Sequence, residues 1–460
     1  LIMEEKVLHN NYDVASHGDY HLFSFKNKHF IYDIESVNIF EIEEDFYTLL
    51  KNEDVEFLKD FLKELPDEYF KNKLSIPDRG ESEPLTNISL NVAQVCNLSC
   101  VYCYAVDGEY GLKGKMRHPI AKKSVDFLIE ESKNAKNISI TFFGGEPLLN
   151  IPVLKETVEY ALKKAEENNK RISFSITTNG TKFDKDINAF LNKHKFSVTV
   201  SFDGDRETQD ANRPFRGGKG SFDKTLPKIQ EFLKSRNGNA TARATVTNHT
   251  TDLKHLKNEL KRYGFKRAAA TVATVSEYAN KERGVKSINI HDEEMQKIFE
   301  SEDFEALNIL NAIKERKNIS EFSNSKIFSF LFQLKKKNKK TSFCGAGRKM
   351  VGISINGDVY PCHRFVGEAK FKLGNISDFD SDTRKKYSDS YTQKHPVCSK
   401  CWAKYHCGGA GCIQDNEVMM GDVNNINTRH CTQLKHQLKH AINIFSKMDE
   451  DDMNHTFNKK

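Results

Sequence analysis

The chain has 460 residues, enough for two or three domains, and 38% hydrophobic residues, enough for a proper core. A net charge of +6 over this length, with lysine-rich runs scattered, gives no reason to expect a nucleic-acid partner, and no apolar run is long enough to span a bilayer. No signal peptide is visible, and the ten cysteines fall in two groups, three near residue 100 and seven between 344 and 431, so metal ligation in a reducing cytoplasm is expected rather than disulfides.

Residues 19–42 alternate in polarity. His21-Leu22-Phe23-Ser24-Phe25, a polar turn at Lys26-Asn27-Lys28 and His29-Phe30-Ile31-Tyr32 predict a hairpin, and Val37 to Ile42 a third strand. Phe46 to Phe70 then carries Leu49, Leu50, Phe57, Leu58, Phe61 and Leu62 at helical spacing. Three strands followed by short helices resemble the winged-helix peptide-binding domain of many peptide-modifying enzymes. The resemblance implies a domain over 1–75 that takes a leader peptide as an added strand at its sheet edge. A plain structural cap is the alternative. Residues 76–86, with two prolines, read as a linker.

From Ile88 onward strand and helix alternate, with strands predicted at 88–92, 138–143, 172–177, 196–202, 240–246 and 268–273. Amphipathic helices lie between, as with Leu154, Val158, Ala161, Leu162 and Ala165. Such repeats imply parallel strands, right-handed crossovers and chemistry at the strands' C-terminal ends. Directly after the first predicted strand stand Cys96, Cys100 and Cys103, spaced C-x3-C-x2-C, with Tyr102 before the last. Three thiolates can hold a [4Fe–4S] cube and leave one iron for a small molecule. A closed zinc site would want a fourth ligand nearby, and the next histidine is the distant His118.

This spacing resembles the signature of the radical S-adenosyl-L-methionine (SAM) enzymes. The resemblance implies an α/β fold with a partial (βα)6 barrel over 87–285, in which the open iron binds SAM and reductive cleavage yields a 5′-deoxyadenosyl radical. The later strand ends carry further matches: Gly144-Gly145-Glu146-Pro147, Thr177-Thr178-Asn179-Gly180 and Ser201-Phe202-Asp203-Gly204. On this reading Gly144 and Gly145 bring backbone to the ligand, and Glu146 accepts a bond from the SAM ammonium. Asn179, Ser201 and Asp203 line SAM's ribose and carboxylate, Arg213 pairs with that carboxylate through its planar fork, and Tyr102 completes the cofactor-binding set.

Residues 286–340 are charged and helical in pattern. Their run Leu334-Lys-Lys-Lys-Asn-Lys-Lys340 is expected to be a solvated linker. Beyond it Cys344, Cys362 at the end of an Asn356-Gly357-Asp358 turn, Cys398-x2-Cys401-x5-Cys407-x4-Cys412 and Cys431 resemble the seven-cysteine SPASM extension, here 341–435. One departure stands out: four residues separate Cys407 from Cys412 where the family has three. The resemblance implies two auxiliary [4Fe–4S] clusters, and so three clusters in all, with rubredoxin-like or zinc knuckles as the alternative. The outer cluster would be held by Cys398, Cys401, Cys407 and Cys431, the inner one by Cys344, Cys362 and Cys412. Residues 436–460 are expected to give an amphipathic helix, through Leu438, Ala441, Ile442 and Phe445, and then a disordered acidic tail.

Three functions compete at this stage. The first is a peptide maturase that builds thioether crosslinks from cysteines of a ribosomally made precursor, served by an electron donor such as flavodoxin or ferredoxin. Residues Cys401 to Gly409 look most like that type. The second is an anaerobic sulfatase-maturing enzyme that makes formylglycine. Those relatives carry an aspartate base after the cysteine of the turn, where this chain has His363, the one candidate catalytic side chain and a possible base. The third is an iron–sulfur electron carrier that never cleaves SAM.

Overall fold

The computed structural model describes residues 16–17, 20–25, 28–51, 83–249, 252–273, 292–387, 395–409 and 411–458. Its N-terminal sheet is antiparallel, with β1 (Ser16–His17), β2 (Tyr20–Phe25), β3 (Lys28–Asp33) and β4 (Asn38–Ile42) in that order. Side-chain alternation gives it two apolar faces. Tyr20, Leu22 and Ile31 pack under helix α1 (Glu44–Lys51), whose Tyr47 and Leu50 point inward. Phe23, Phe30 and Tyr32 face the other way. The part of the expected Phe46–Phe70 helical segment beyond Lys51, and residues 76–82 of the expected linker, lie outside the described residues.

The barrel follows as β5 (Asn87–Gln94), the short β6 (Gly114–Lys115), α2 (His118–Glu131), β7 (Asn137–Gly144), α3 (Ile151–Glu167), β8 (Arg171–Thr178), α4 (Lys185–Lys193) and β9 (Ser197–Ser201). It continues as α5 (Arg206–Asn212), α6 (Phe222–Ser235), β10 (Thr241–Val246), α7 (Leu253–Arg262) and β11 (Arg267–Val272). Six parallel strands run β11-β10-β9-β8-β7-β5, at the six predicted positions to within one or two residues. Each strand is apolar on the face that meets helices, as with Ile140 and Phe142 of β7 or Ala242 and Ala244 of β10, all 0% exposed.

The C-terminal region continues this sheet. After α8 (Asp292–Lys314) and α9 (Lys326–Lys335), strand β12 (Met350–Ile353) pairs parallel with β5, and β13 (Asp358–Tyr360) and β14 (Gly374–Asn375) extend the edge. Helices α10 (Lys404–Cys407), α11 (Ile413–Met420), α12 (Thr428–Ser446) and α13 (Glu450–Phe457) complete the described chain. Among the described residues no helix is long and apolar enough to cross a membrane.

Two expectations are corrected here. The basic run expected as a solvated linker begins in the core: its Leu334 packs in one cluster with Ile313, Ile327, Phe330, Leu331 and Leu438 and with Phe23, Phe30 and Tyr32 of the N-terminal sheet. Even Lys339 of the basic run lies along the Tyr405 ring, 3.4 Å from Glu35, because its aliphatic stem is apolar and Glu35 balances its charge. The acidic tail is helix α13, not disordered. Its Asp449 and Asp452 form a capping box, and Asp452 is ion-paired by Lys314 and Arg316 of the α8 end.

The N-terminal sheet is bolted to the segment between Cys401 and Cys407. His21 stacks on Trp402 at 3.9 Å, Tyr32 Oη and His406 Nε2 share a 2.9 Å hydrogen bond, and Tyr405 donates to Glu35 at 2.9 Å. Burial, helped by Lys340 and Lys326, pulls His406 down to about 3, so this ring is neutral near pH 7. Trp402→Ala should therefore cost ~3–5 kcal/mol locally and make the N-terminal sheet the first segment cut in limited proteolysis. Unchanged protease resistance of that sheet would show that the docking rests on other contacts.

Candidate active site

The C-terminal ends of the barrel strands open onto one cavity of about 1160 Å³. The loop bearing Cys96, Cys100 and Cys103 leaves β5 and is pressed against the turn after β7. Gly145 N donates to Ala93 O at 2.7 Å and Glu146 N to Val95 O at 2.9 Å. A Cβ on Gly145 would lie 2.4 Å from Val95 O, and one on Gly108 2.6 Å from Gly145 Cα, so only glycine permits this contact. Arg216 locks the loop from outside, donating to Cys96 O at 2.7 Å and Asp107 O at 2.9 Å.

Six of the eight residues expected around SAM line the cavity: Tyr102, Gly144, Gly145, Asn179, Ser201 and Arg213. Asn179 also shapes the cysteine loop, donating to Asn97 Oδ1 at 3.0 Å and lying 3.8 Å from Cys96 Sγ. The other two are placed differently. Glu146 is 1% exposed, and its carboxylate is filled by Leu148 N at 3.0 Å, Thr178 Oγ1 at 2.7 Å and Asn179 N at 2.8 Å. It ties the ends of β7 and β8 together and has no face toward the cavity, so the expected bond to the SAM ammonium is corrected to a positioning role. Burial pushes its carboxyl up to about 7, against the pull of those donors.

Asp203 is likewise buried, at 0% exposure, and accepts from Tyr102 Oη at 2.6 Å, Thr245 N at 2.9 Å and Asn212 Nδ2 at 3.2 Å. Arg213 Nε lies 3.1 Å from its Oδ1, in ion-pair range. Asp203 thus orients Tyr102 and Arg213 and does not itself line the cavity. Burial works against the Arg213 charge, but Asp203, Tyr102 and Cys100 hold the guanidinium protonated.

Cys344, Cys362 and Cys412 line the same cavity, together with His363. Burial and the neighbouring Cys412 and Cys344 push the Cys362 thiol up to about 12. Cys412 therefore reaches this group despite the extra residue before it, because the loop after Cys407 turns through left-handed Gly408, Gly409 and Gly411. Cys431 stands with Cys407, Cys398 and Cys401, and burial and these neighbours raise it to about 11. This four-cysteine group lies outside the cavity that Cys344, Cys362 and Cys412 line. The cysteines thus gather as three, three and four.

Among the described residues, no three of these sulfurs lie within 4.8 Å of one another. A single zinc with bonds of about 2.3 Å would draw them closer than that. The all-thiol, widely spaced groups fit [4Fe–4S] clusters instead. Binding there must strip protons from thiols that burial otherwise keeps neutral.

Two charged residues beside the second group were missed in the sequence. Arg364 lies 3.4 Å from Cys412 Sγ and 2.7 Å from Asp415, over the Tyr104 ring. Its adjacency to Cys362-His363 was the available signal. His363 is half-buried, with its ring 4.2 Å from Phe143, and burial with Arg364 and Arg243 lowers it to about 3. Glu146→Gln should lower the stability of the SAM-free protein by ~1–3 kcal/mol, because its amide must face a donor, as a thermal scan would register. Unchanged stability with lost SAM affinity would restore Glu146 as a ligand contact.

Residues 90–262 match the radical SAM superfamily, and residues 344–402 match the SPASM iron–sulfur cluster-binding domain. Over 356 residues the chain is 26% identical to a cysteine-type anaerobic sulfatase-maturating enzyme of Clostridium perfringens, covering 73% of this chain and 90% of that protein. It is 26% identical to the subtilosin biosynthesis protein AlbA of Bacillus subtilis, over 68% of this chain and 64% of AlbA. The structure of anSMEcpe with bound AdoMet aligns with a TM-score of 0.65 at 21% identity, over 80% of this chain and 100% of that one, a likeness of fold. Cys96, Cys100 and Cys103 fall in the first match and Cys344, Cys362, Cys398 and Cys401 in the second, while Cys407, Cys412 and Cys431 lie past its end. The chain is a radical SAM enzyme with a SPASM extension, and its cofactors are SAM and [4Fe–4S] clusters.

Proposed function

We propose that this enzyme modifies a ribosomally made precursor peptide and forms thioether crosslinks from its cysteines. The observation that carries the reading is the shared cavity, which Cys96, Cys100 and Cys103 line together with Cys344, Cys362 and Cys412. In this reading the first group holds the SAM-binding cluster, Cys398, Cys401, Cys407 and Cys431 hold an outer auxiliary cluster, and the second group holds an inner one with one place left. When bound, these cofactors supply a 5′-deoxyadenosyl radical and a sink for one electron.

The chain's own part is positioning. Arg213, fixed by Asp203, takes the SAM carboxylate through its fork, while Tyr102, Ser201, Asn179 and the backbone at Gly144 and Gly145 wall the ligand in. The place left by Cys344, Cys362 and Cys412 takes a substrate cysteine, with Arg364 beside it to favour the thiolate. The peptide's leader adds as a strand to an edge of the N-terminal sheet, whose contacts through Trp402 and His406 hold that edge in register with the cysteines. A flavodoxin or ferredoxin supplies the electron.

A second reading, formylglycine formation at a peptide cysteine, is supported by the breadth of the match to the sulfatase-maturating enzyme, 90% of that protein's length. The two readings part at the product. Incubating the enzyme with SAM, dithionite and any small cysteine-containing peptide encoded beside it should give loss of two hydrogens per crosslink, with no free thiol left at that cysteine. A carbonyl that reacts with hydrazide at the cysteine position would establish the second reading instead.

Replacing Cys96, Cys100 and Cys103 together by Ala should abolish 5′-deoxyadenosine formation and leave the iron held by the other seven cysteines. Reductive cleavage of SAM by that variant would refute the assignment of the first group.

A further inference from the structure

Away from every cysteine group, three metal-ligating side chains converge between α8 and α12. His436 and His440 are one turn apart on the same face of α12. His440 Nε2 lies 2.7 Å and His436 Nε2 2.9 Å from the same oxygen, Oδ1 of Asp303 on α8, and the two imidazole nitrogens are 3.2 Å apart. This is the only group of three or more His, Cys, Asp or Glu ligands among the described residues whose donor atoms all lie within 4.8 Å. Two nitrogens and one oxygen at the corners of a small triangle form one face of a tetrahedron. A zinc ion with bonds of ~2.0–2.1 Å has edges of about 3.3 Å, so the triangle's edges need to open by roughly 0.1 to 0.6 Å.

The surroundings hold these donors in place and leave one way in. The Asp303 and His440 side chains are 11% and 5% exposed, whereas His436 is 27% exposed. The His436 ring leans on Phe299 at 4.7 Å. Next to Asp303, Glu302 accepts from Gln433 Nε2 at 2.8 Å and Gln437 Nε2 at 2.6 Å, which sets the register of the two helices independently of the histidines. The site is therefore formed before any ion arrives.

We propose that Asp303, His436 and His440 bind one divalent zinc-class ion, separate from the iron–sulfur clusters, with water as fourth ligand on the His436 side. The ion fastens α8 to α12, the helix that carries Cys431 five residues before His436. It thereby braces one wall of the four-cysteine group from a part of the chain with no cysteine of its own. Neither match to a known domain, 90–262 or 344–402, reaches these residues.

The test uses holoenzyme with its clusters reconstituted anaerobically, given one equivalent of ZnCl2 and washed with a weak chelator. Zinc K-edge absorption should show one retained zinc with a nitrogen and oxygen shell at ~2.0–2.1 Å, imidazole scattering and no sulfur shell at ~2.3 Å. Asp303→Asn and His436→Gln, which keep side-chain volume, should each weaken zinc retention at least tenfold while cluster absorbance stays unchanged. A wild-type holoenzyme that retains no zinc, or holds it in a sulfur shell, overturns the proposal on its own, whatever the variants do. Variants that retain zinc as the wild type does overturn it equally.

Discussion

The site depends on one buried carboxylate. Asp203 has no exposure to water, so its charge must be met by protein donors or lost. Its four partners come from three places: Tyr102 in the cysteine loop, Asn212 and Arg213 after β9, and the backbone of Thr245 on β10. Each is thereby fixed relative to Cys100 and Cys103. Arg213, the arginine proposed for the SAM carboxylate, is held charged and fixed by Asp203 in the ligand-free protein, which would spare the reaction the cost of organising it.

The same economy governs the wider architecture. Because β12 pairs with β5 and β13 with β12, Cys362, just past β13, is tied to the barrel's own sheet, and its place relative to the loop after β5 is set by hydrogen-bonded strands. Because α8, α9 and α12 share a core with Phe23, Phe30 and Tyr32, the N-terminal sheet is held by packing and not by its tether alone. A peptide added to that sheet, as proposed, would be presented to a cavity whose position relative to it is fixed.

What was legible in the sequence was local. Period and composition located the six parallel strands, and the motifs fell at their ends because side chains there are freed from the core. The cysteine groups could be assigned by order, and even Cys412 reached its group, since glycines at 408, 409 and 411 turn the loop. What was illegible came from distant partners. Glu146 was read as a ligand contact because nothing local reveals Thr178 and Asn179 waiting to fill its carboxylate. The basic run around Lys339 looked solvated because Glu35, its partner, lies some three hundred residues away in sequence. The acidic tail looked disordered for the same reason, its Asp452 being matched by Lys314 and Arg316. Arg364 gained its meaning only when folding brought Cys412 and Asp415, some fifty residues away in sequence, against it.

The central claim is that the place left among Cys344, Cys362 and Cys412 receives the substrate's thiol. The most direct test is the auxiliary-cluster spectrum, read by electron paramagnetic resonance or Mössbauer spectroscopy in the variant lacking the SAM-cluster cysteines, with and without peptide. The account predicts that a peptide with its donor cysteine changes one auxiliary signal and that the same peptide with serine leaves it unchanged. A spectrum indifferent to the cysteine peptide at saturating concentration would contradict direct ligation.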